Sequence, residues 1–116
     1  MESILTSIKK LLGIPEEEKH FDPDIIMHIN SVFTILTQLG VGPSDGFIIE
    51  DDLTTWNDFL GEGSKELNSV KSYMFMKVKL LFDTSTTSSA ALDSMNRLIN
   101  EFEWRLNVTA ENKQTE

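Results

Sequence analysis

The stretch FDPDIIMHINSVFTILTQLGVGP, residues 21–43, carries the clearest helix signal in this 116-residue chain. Asp22 can cap the start of a helix, Pro23 fits the first helical position, and Asp24 places negative charge in the first turn. Apolar residues then recur every three or four positions, which is the spacing of one buried helical face. That face consists of Ile25, Ile26, Ile29, Val32, Phe33, Leu36 and Leu39. We therefore predict a long helix that contributes much of the core.

The opposite face of this predicted helix is polar but nearly uncharged. A helix face that meets water usually carries more Lys and Glu than this one does. Two interpretations are open: a subunit contact in which a partner satisfies these polar groups, or an ordinary hydrated surface. The candidate contact residues are Asn30, Ser31, Thr34, Thr37 and Gln38.

The helix is expected to end at Gly40, because glycine adopts the left-handed conformation of a helix C-cap and Pro43 prevents the helix from resuming. The glycines that follow do not predict a phosphate-binding loop. A dinucleotide-binding fingerprint needs a third glycine where Asp45 stands, and it follows a strand, not a helix. A calcium-binding loop fails too, because Val41 would occupy its first ligand position. Residues 41–53 are therefore predicted to be a long loop between helices.

Further helical segments surround this one. Ser3 can cap a short amphipathic helix that Gly13 ends, and a short helix is predicted around residues 54–60. Its apolar plug consists of Trp56, Phe59 and Leu60. A third long helix is expected to open at Ser64, and the last runs from about residue 90 to 107. These segments predict an all-α fold: a compact bundle of about four to five helices with one long loop and a flexible C-terminal tail.

Composition restricts the class of protein. With 40% hydrophobic residues the chain can form one core, so we predict a single helical domain over residues 1–108 and a disordered, polar tail over residues 109–116. Ten basic and 19 acidic residues give a net charge of -9, which is the wrong sign for binding nucleic acid by neutralising phosphates. With no cysteine and no apolar stretch long enough for a membrane span, we expect a soluble intracellular protein without a membrane partner.

The sequence contains no convincing catalytic pattern. His20 and His28 lack the spacing of a zinc site. The adjacent residues Glu50, Asp51 and Asp52 point in different directions and have no acidic partner at helical spacing, so a nuclease-like metal cluster is not favoured. We expect no catalytic residues, no metal and no cofactor, and hence no enzyme.

Charged residues on the last two long helices indicate exposed faces. Lys71, Lys77 and Lys79 form the one local basic patch in an acidic chain. The last helix has two candidate ion pairs at a spacing of four residues, which is favourable on a helix surface. These pairs are Asp93–Arg97 and Glu101–Arg105. Trp104 lies off the apolar stripe, so it either folds over the edge of the core or anchors a partner.

Four segments in this order, FDPDIIMHINSVFTILTQLGVGP, WNDFL, VKSYMFMKVKLLFD and EWRLN, resemble a known family. They are similar to the head-tail connectors of tailed bacteriophages, the gp6-like or QLRG-type adaptor proteins. The resemblance runs from about Ile4 to Asn107. The chain departs from the family's name motif, because Gly40 follows Leu39 where relatives have arginine.

The resemblance implies a structural protein of the virion neck, assembled in the cytoplasm of a bacterial host. Such adaptors form a ring, expected to be twelve-fold to match a portal. The ring extends the DNA channel below the portal protein and docks stopper or tail-completion proteins, with DNA only as passing cargo. A ring of identical subunits needs two different complementary patches on each subunit.

Several residues become candidates for these patches under the resemblance, in addition to the five helix residues named above. The additional candidates are Phe47, Asp51, Asp52, Trp56, Trp104 and Arg105. We expect residues 42–52 to project from the helical body and to touch a neighbouring ring component.

Two other functions stay open from the sequence. One is a small helical regulatory protein that binds another protein through Trp104 and the loop aromatics. The other is a DNA-packaging accessory protein that contacts DNA through Lys71, Lys77 and Lys79, although the acidic total charge disfavours it.

Overall fold

A computed structural model describes residues 3–61, 65–82 and 89–115 of the chain, with side chains as far as residue 111. Five helices and no strand are present within these ranges, which confirms the all-α class. The helices are α1 (Ile4–Leu12), α2 (Asp22–Gln38), α3 (Trp56–Leu60), α4 (Leu67–Phe82) and α5 (Ser89–Thr115). The helix start predicted at Ser64 and the loop predicted from Asp83 lie outside the described residues.

Helix α1 begins and ends as the sequence predicts. The Ser3 hydroxyl accepts a hydrogen bond from the Thr6 N–H at 3.0 Å, which caps the first turn. At the other end Gly13 has φ +81°, and the N–H groups of Gly13 and Ile14 donate to carbonyls of the last turn. This is the left-handed glycine cap that stops a helix.

The start of α2 differs from the prediction in its cap. Phe21 occupies the cap position in place of Asp22, and no side chain among the described residues caps the helix there. The physical reason is that the Asp22 carboxylate is used elsewhere, in an ion pair with the Lys9 ammonium at 2.8 Å.

The end of α2 is confirmed at the glycine. Gly40 has φ +87° and donates its N–H to the Thr37 carbonyl at 3.1 Å, while the Val41 N–H donates to the Leu36 carbonyl at 2.9 Å. These two bonds satisfy carbonyls that the helix end would otherwise leave without a donor.

Helix α4 is the central element, because it packs against α1, α2 and α5. Helix α3 closes the core beside α1, where the Trp56 indole N–H donates to the Ser7 hydroxyl at 2.8 Å. The chain next to it is tied to the start of α1, since the Ile4 N–H donates to the Thr54 carbonyl at 2.9 Å. The largest fully buried side chains include Trp56, Tyr73, Lys9, Phe33, Ile4 and Ile8.

Helix α5 is longer than predicted. It continues to Thr115, whereas the sequence predicts an end near Asn107. The added segment contains Ala, Glu, Lys and Gln, which are good helix formers, and Ala110 is buried. The Asn107 side chain also donates to the Leu39 carbonyl at 3.3 Å, which ties α5 to the end of α2. The flexibility predicted for residues 109–116 stays a prediction.

Candidate interaction surfaces

The outer surface of α2 is free of formal charge. No Asp, Glu, Lys or Arg occurs between Ile25 and Ser44. The Ser31 and Thr34 hydroxyls donate to the carbonyls of Met27 and Asn30, one turn earlier, at 3.0 and 3.2 Å. Their donors are therefore satisfied within the helix, so these two hydroxyls can be covered by a partner without losing their hydrogen bonds. The exposed side chains that form it are Met27, Ser31, Thr34 and Gln38.

Asn30 holds the loop that follows α2. Its side-chain nitrogen donates to the Ile49 carbonyl at 2.9 Å, and its side-chain oxygen accepts the Ile49 N–H at 2.8 Å. These two bonds satisfy the backbone of a buried residue that has no helical partner. Asn30 therefore acts within the chain, and its place in the predicted interface stays without support.

The loop of residues 41–55 packs on the body of the protein at Val41, Phe47 and Ile49, while its residues 42–45 and 50–53 are exposed, so it projects less than expected. The Phe47 ring packs against Phe33 and Phe59, with ring centroids 5.1 and 5.0 Å away. Gly42 has φ +82°, and a Cβ built there would stand 2.3 Å from the Phe59 ring, so the close approach requires glycine. The loop packs inward because it carries apolar side chains that gain from leaving water.

A surface groove of about 520 Å³ lies between one part of this loop and α2. Thr34, Thr37 and Gln38 line one wall, and Phe47 and Ile48 line the other. Four of the predicted interface residues are thus brought to one site. Ile48, which the sequence analysis did not single out, is exposed beside them and adds apolar surface.

Residues 50–53 form an exposed turn, here called the acidic corner. Its three carboxylates belong to Glu50, Asp51 and Asp52, and all three residues are exposed. The Asp51 carboxylate accepts the Leu53 N–H at 3.0 Å, and the Asp52 carboxylate lies 3.8 Å from the Lys19 ammonium. Leu53 is 77% exposed, the highest value among the described large apolar residues.

The two tryptophans have opposite environments. Trp56 is 1% exposed and hydrogen-bonded to Ser7, so the prediction of Trp56 as an interface residue is corrected: its indole fills the core. Trp104 is 67% exposed, which excludes the alternative that it folds over the core edge.

One of the two ion pairs predicted on α5 is formed, because Arg105 pairs with Glu101. The predicted pair of Asp93 with Arg97 is not formed among the described side chains.

The predicted basic patch is partly engaged within the chain. Lys71 and Lys79 lie over aromatic rings, with their ammonium groups 5.9 Å from the Trp56 ring centroid and 5.8 Å from that of Phe75. Such contacts are favourable cation–π interactions. Lys77 lies 4.0 Å from a carboxylate of α5. The three lysines therefore have different neighbours and do not form one common cationic surface.

That α5 carboxylate, Glu103, also contacts α4 through Tyr73. The Tyr73 hydroxyl donates to the Glu103 Oε2 atom at 2.7 Å. Burial, and then the hydrogen bond and charge of Glu103, raise the pKa of the Tyr73 phenol. The phenol therefore remains protonated and keeps donating well above neutral pH.

Lys9 was not recognised from the sequence as a structural residue. Its ammonium group is 2% exposed and donates to the carbonyls of Glu16 and Glu18 at 3.0 and 2.6 Å, beside the ion pair with Asp22. Through these contacts the Lys9 side chain holds residues 14–21 against the end of α1. The signal was present in the spacing, because Lys9 follows Leu5 by four positions on the apolar face of the helix.

A second groove, of about 680 Å³, lies between α1, α4 and α5 and is here called the α1–α4 groove. Its apolar floor includes Leu11, Phe75 and Phe102, and Lys10 and Lys71 stand at its edge. No acidic residue is among the described residues that line it. In a chain with a net charge of -9, this is a local site of opposite sign.

Over the described residues, no three His, Asp or Glu side chains are grouped as a metal ion would require. In the same part of the chain, no helix has the length and apolar character needed to cross a membrane.

Comparison with known proteins adds one match. A protein-family model described as "Phage connector protein" matches residues 4–113. No curated protein and no solved structure matches the chain significantly. The match does not distinguish the gp6-like or QLRG-type group, so that assignment stays a prediction.

Proposed function

This chain belongs to the phage connector protein family, and we propose that it is the head-tail connector of a tailed phage or prophage, assembled as a ring under the portal protein. In the virion neck, the ring would extend the DNA channel and provide the surface on which stopper or tail-completion proteins dock. The observation that carries the proposal is the family match over residues 4–113, which is nearly the whole chain.

A ring places a different surface of each subunit against each of its two neighbours. The uncharged α2 outer surface, with the groove between α2 and the loop, supports a role as a subunit or partner interface, since cores of protein interfaces are depleted of charge. The exposed indole of Trp104 supports a second contact on α5. The interface residues in this proposal are Ser31, Thr34, Thr37, Gln38, Phe47, Asp51, Asp52, Trp104 and Arg105.

An acidic chain suits the wall of a DNA channel. The excess of carboxylates repels phosphates, so DNA can pass without being held. The three candidate DNA-contacting lysines face different neighbours, Lys71 and Lys79 over different aromatic rings and Lys77 near Glu103, so they form no common cationic stripe and give a DNA-packaging role no support. We therefore treat DNA as passing cargo.

Electron microscopy tests the ring. We expect negatively stained preparations of concentrated protein, or of protein mixed with its portal, to contain annular particles. Particles that stay monomeric in the presence of the portal would exclude the ring. A gel-shift assay at moderate salt should show negligible DNA binding, and tight, salt-sensitive binding would instead support a DNA-packaging component.

The end of α5 is the proposed contact to the portal. Removal of residues 111–116, which keeps the buried Ala110, should leave the helical circular dichroism unchanged except for the lost turn, and it should weaken docking to the portal. Docking of the shortened chain at full strength would exclude this assignment.

A further inference from the structure

The acidic corner presents one large apolar side chain among three carboxylates. Leu53 extends into solvent, although its neighbours on both sides are anchored to the protein. Ile49 is held by both groups of the Asn30 side chain, and the Thr54 carbonyl accepts the Ile4 N–H at 2.9 Å. Because both ends of this four-residue turn are fixed, little conformational entropy is lost when it binds.

The α1–α4 groove has the complementary properties. Its floor is apolar and its volume of about 680 Å³ admits a leucine side chain with the backbone around it. Lys71 stands at its edge, where a carboxylate of an incoming segment can pair with the ammonium group. An apolar side chain flanked by anions and an apolar groove with a cation at its edge are therefore present on the same subunit.

We propose that the acidic corner of one subunit docks into the α1–α4 groove of the next subunit, with Leu53 on the apolar floor and a flanking carboxylate against Lys71. This inference rests on the proposed ring, for which it supplies the contact between neighbours. Two surfaces that differ on each subunit make a head-to-tail contact, which leaves one corner and one groove free to continue the assembly.

The chemistry of the groove favours a protein segment over DNA. A nucleic-acid backbone pairs with cations but has no aliphatic group to place on an apolar floor. A segment with carboxylates and a leucine uses both parts of the groove. The same contact also brings cations to a junction between subunits that otherwise repel one another through their net charge of -9.

Cysteine crosslinking tests the contact directly, because the chain has no cysteine of its own. A variant with Leu53→Cys and Ser72→Cys carries one thiol in the corner and one in the groove, whose wall includes Ser72. A disulfide forms only when the two Cα atoms come within about 7 Å. Mild oxidation should therefore give a ladder of dimers, trimers and larger species.

The matched control is a variant with Leu53→Cys and Ser94→Cys, because Ser94 is also exposed but lies on α5 outside the described lining of the groove. We expect about tenfold fewer crosslinked multimers from this control. Equal ladders from both variants, a disulfide within one chain, or no ladder in preparations that contain annular particles would overturn the contact.

Charge reversal provides an independent test. Lys71→Glu and Asp52→Lys should each weaken self-association about tenfold or more, and their combination should restore it, since the pair then attracts again with exchanged signs. Lys79→Glu is the control, because Lys79 lies on the same helix and also over an aromatic ring, but it is not among the lining residues. Circular dichroism checks that each variant folds.

The outcomes separate this contact from the ring itself. Normal annular particles from the Lys71→Glu variant would exclude the contact and leave the ring in place. A Lys71→Glu variant that forms rings but no longer binds the portal would assign the groove to another protein, which also overturns the contact. If the unmodified chain gives no annular particles even with the portal, the proposed function fails and the contact fails with it.

Discussion

The irregular segments before and after α2 are each held by one polar side chain, but the two side chains differ in kind. Before α2, the buried ammonium group of Lys9 binds two carbonyls and the Asp22 carboxylate. After α2, the neutral amide of Asn30 pairs with the backbone of Ile49, and aromatic packing completes the contact. A buried charge that loses its partner is far more costly than a neutral group that does.

This difference suggests different roles for the two segments. The segment before α2 turns two backbone carbonyls, those of Glu16 and Glu18, inward onto Lys9, while residues 15–21 are exposed. The segment after α2 is fixed at single points and leaves its outer side, with Ile48 and Leu53, exposed. Contact surfaces are therefore expected in the segment after α2. The segment before α2 is the more rigidly held of the two.

The largest expected effect comes from removing the buried charge. Lys9→Met should lower the free energy of unfolding by about 3–5 kcal/mol, because Asp22 then keeps a carboxylate without its cation. Urea denaturation followed by circular dichroism measures this change. Lys19→Met is the control, and its exposed contact with Asp52 should contribute about 1 kcal/mol or less. Equal effects of the two substitutions would break the distinction between the two segments.

A matched pair of glycines compares the segments sterically, since Gly13 and Gly42 have φ of +81° and +82°. Gly13→Ala adds a Cβ with nothing within 4 Å and should cost only the backbone strain, about 1–2 kcal/mol. Gly42→Ala adds the same strain and a contact with the Phe59 ring, so we expect about 2–4 kcal/mol in thermal or urea denaturation. The same loss at both positions would show that the loop after α2 is not packed closely on α3.

Loss of the two hydrogen bonds between Asn30 and Ile49 should have a moderate and local effect on stability. Asn30→Ala removes both hydrogen bonds to Ile49, and we expect a loss of about 2 kcal/mol. Hydrogen exchange at the Ile49 amide should become faster, while the amides of α1 keep their protection. Ser31→Ala, whose hydroxyl bonds only within its own helix, should change stability by about 0.5 kcal/mol or less. Faster exchange throughout α1 would contradict a local role.

A third polar contact, between Tyr73 and Glu103, joins the helices α4 and α5 and does not hold a loop. Tyr73→Phe removes the hydrogen bond to Glu103, and we expect a loss of about 1 kcal/mol at neutral pH. Because the folded state raises the pKa of Tyr73, the unfolded chain loses this proton first, at a pH of about 10. The stability of the unmodified chain should therefore fall as the pH rises above that value.

Tyrosinate absorbance measures this effect, because Tyr73 is the chain's single tyrosine. The absorbance should appear only together with the loss of helical circular dichroism. The Tyr73→Phe variant should lose stability less steeply over the same pH range. Ionisation of Tyr73 in a chain that keeps its helices would contradict the assignment.

The sequence predicts the elements that depend on near neighbours. The bounds of α1, the glycine that ends α2 and the apolar face of α2 follow from capping and periodicity, and the structure agrees with them. The exposed residues of the α2 surface also follow from helical spacing. These features involve residues within about four positions of one another, which is the range over which such rules act.

Three of the failures, at Asn30, Trp56 and Asp22, involve contacts between distant residues. Asn30 meets Ile49 across 19 positions, and Trp56 meets Ser7 across 49. No periodicity indicates these pairs, so Asn30 and Trp56 were both assigned to an interface. The cap expected at Asp22 failed for the same reason, because its carboxylate pairs with Lys9 of another helix. The α1–α4 groove requires three helices in place and could not be predicted from any one of them.

The opposite environments of Trp56 and Trp104 provide two built-in optical reporters, because these are the only tryptophans in the chain. Trp56, shielded in the core, should emit at shorter wavelength and resist a water-soluble quencher such as iodide. Trp104, which is exposed, should account for the quenchable and red-shifted part of the fluorescence. One spectrum can therefore follow folding through one indole and surface coverage through the other.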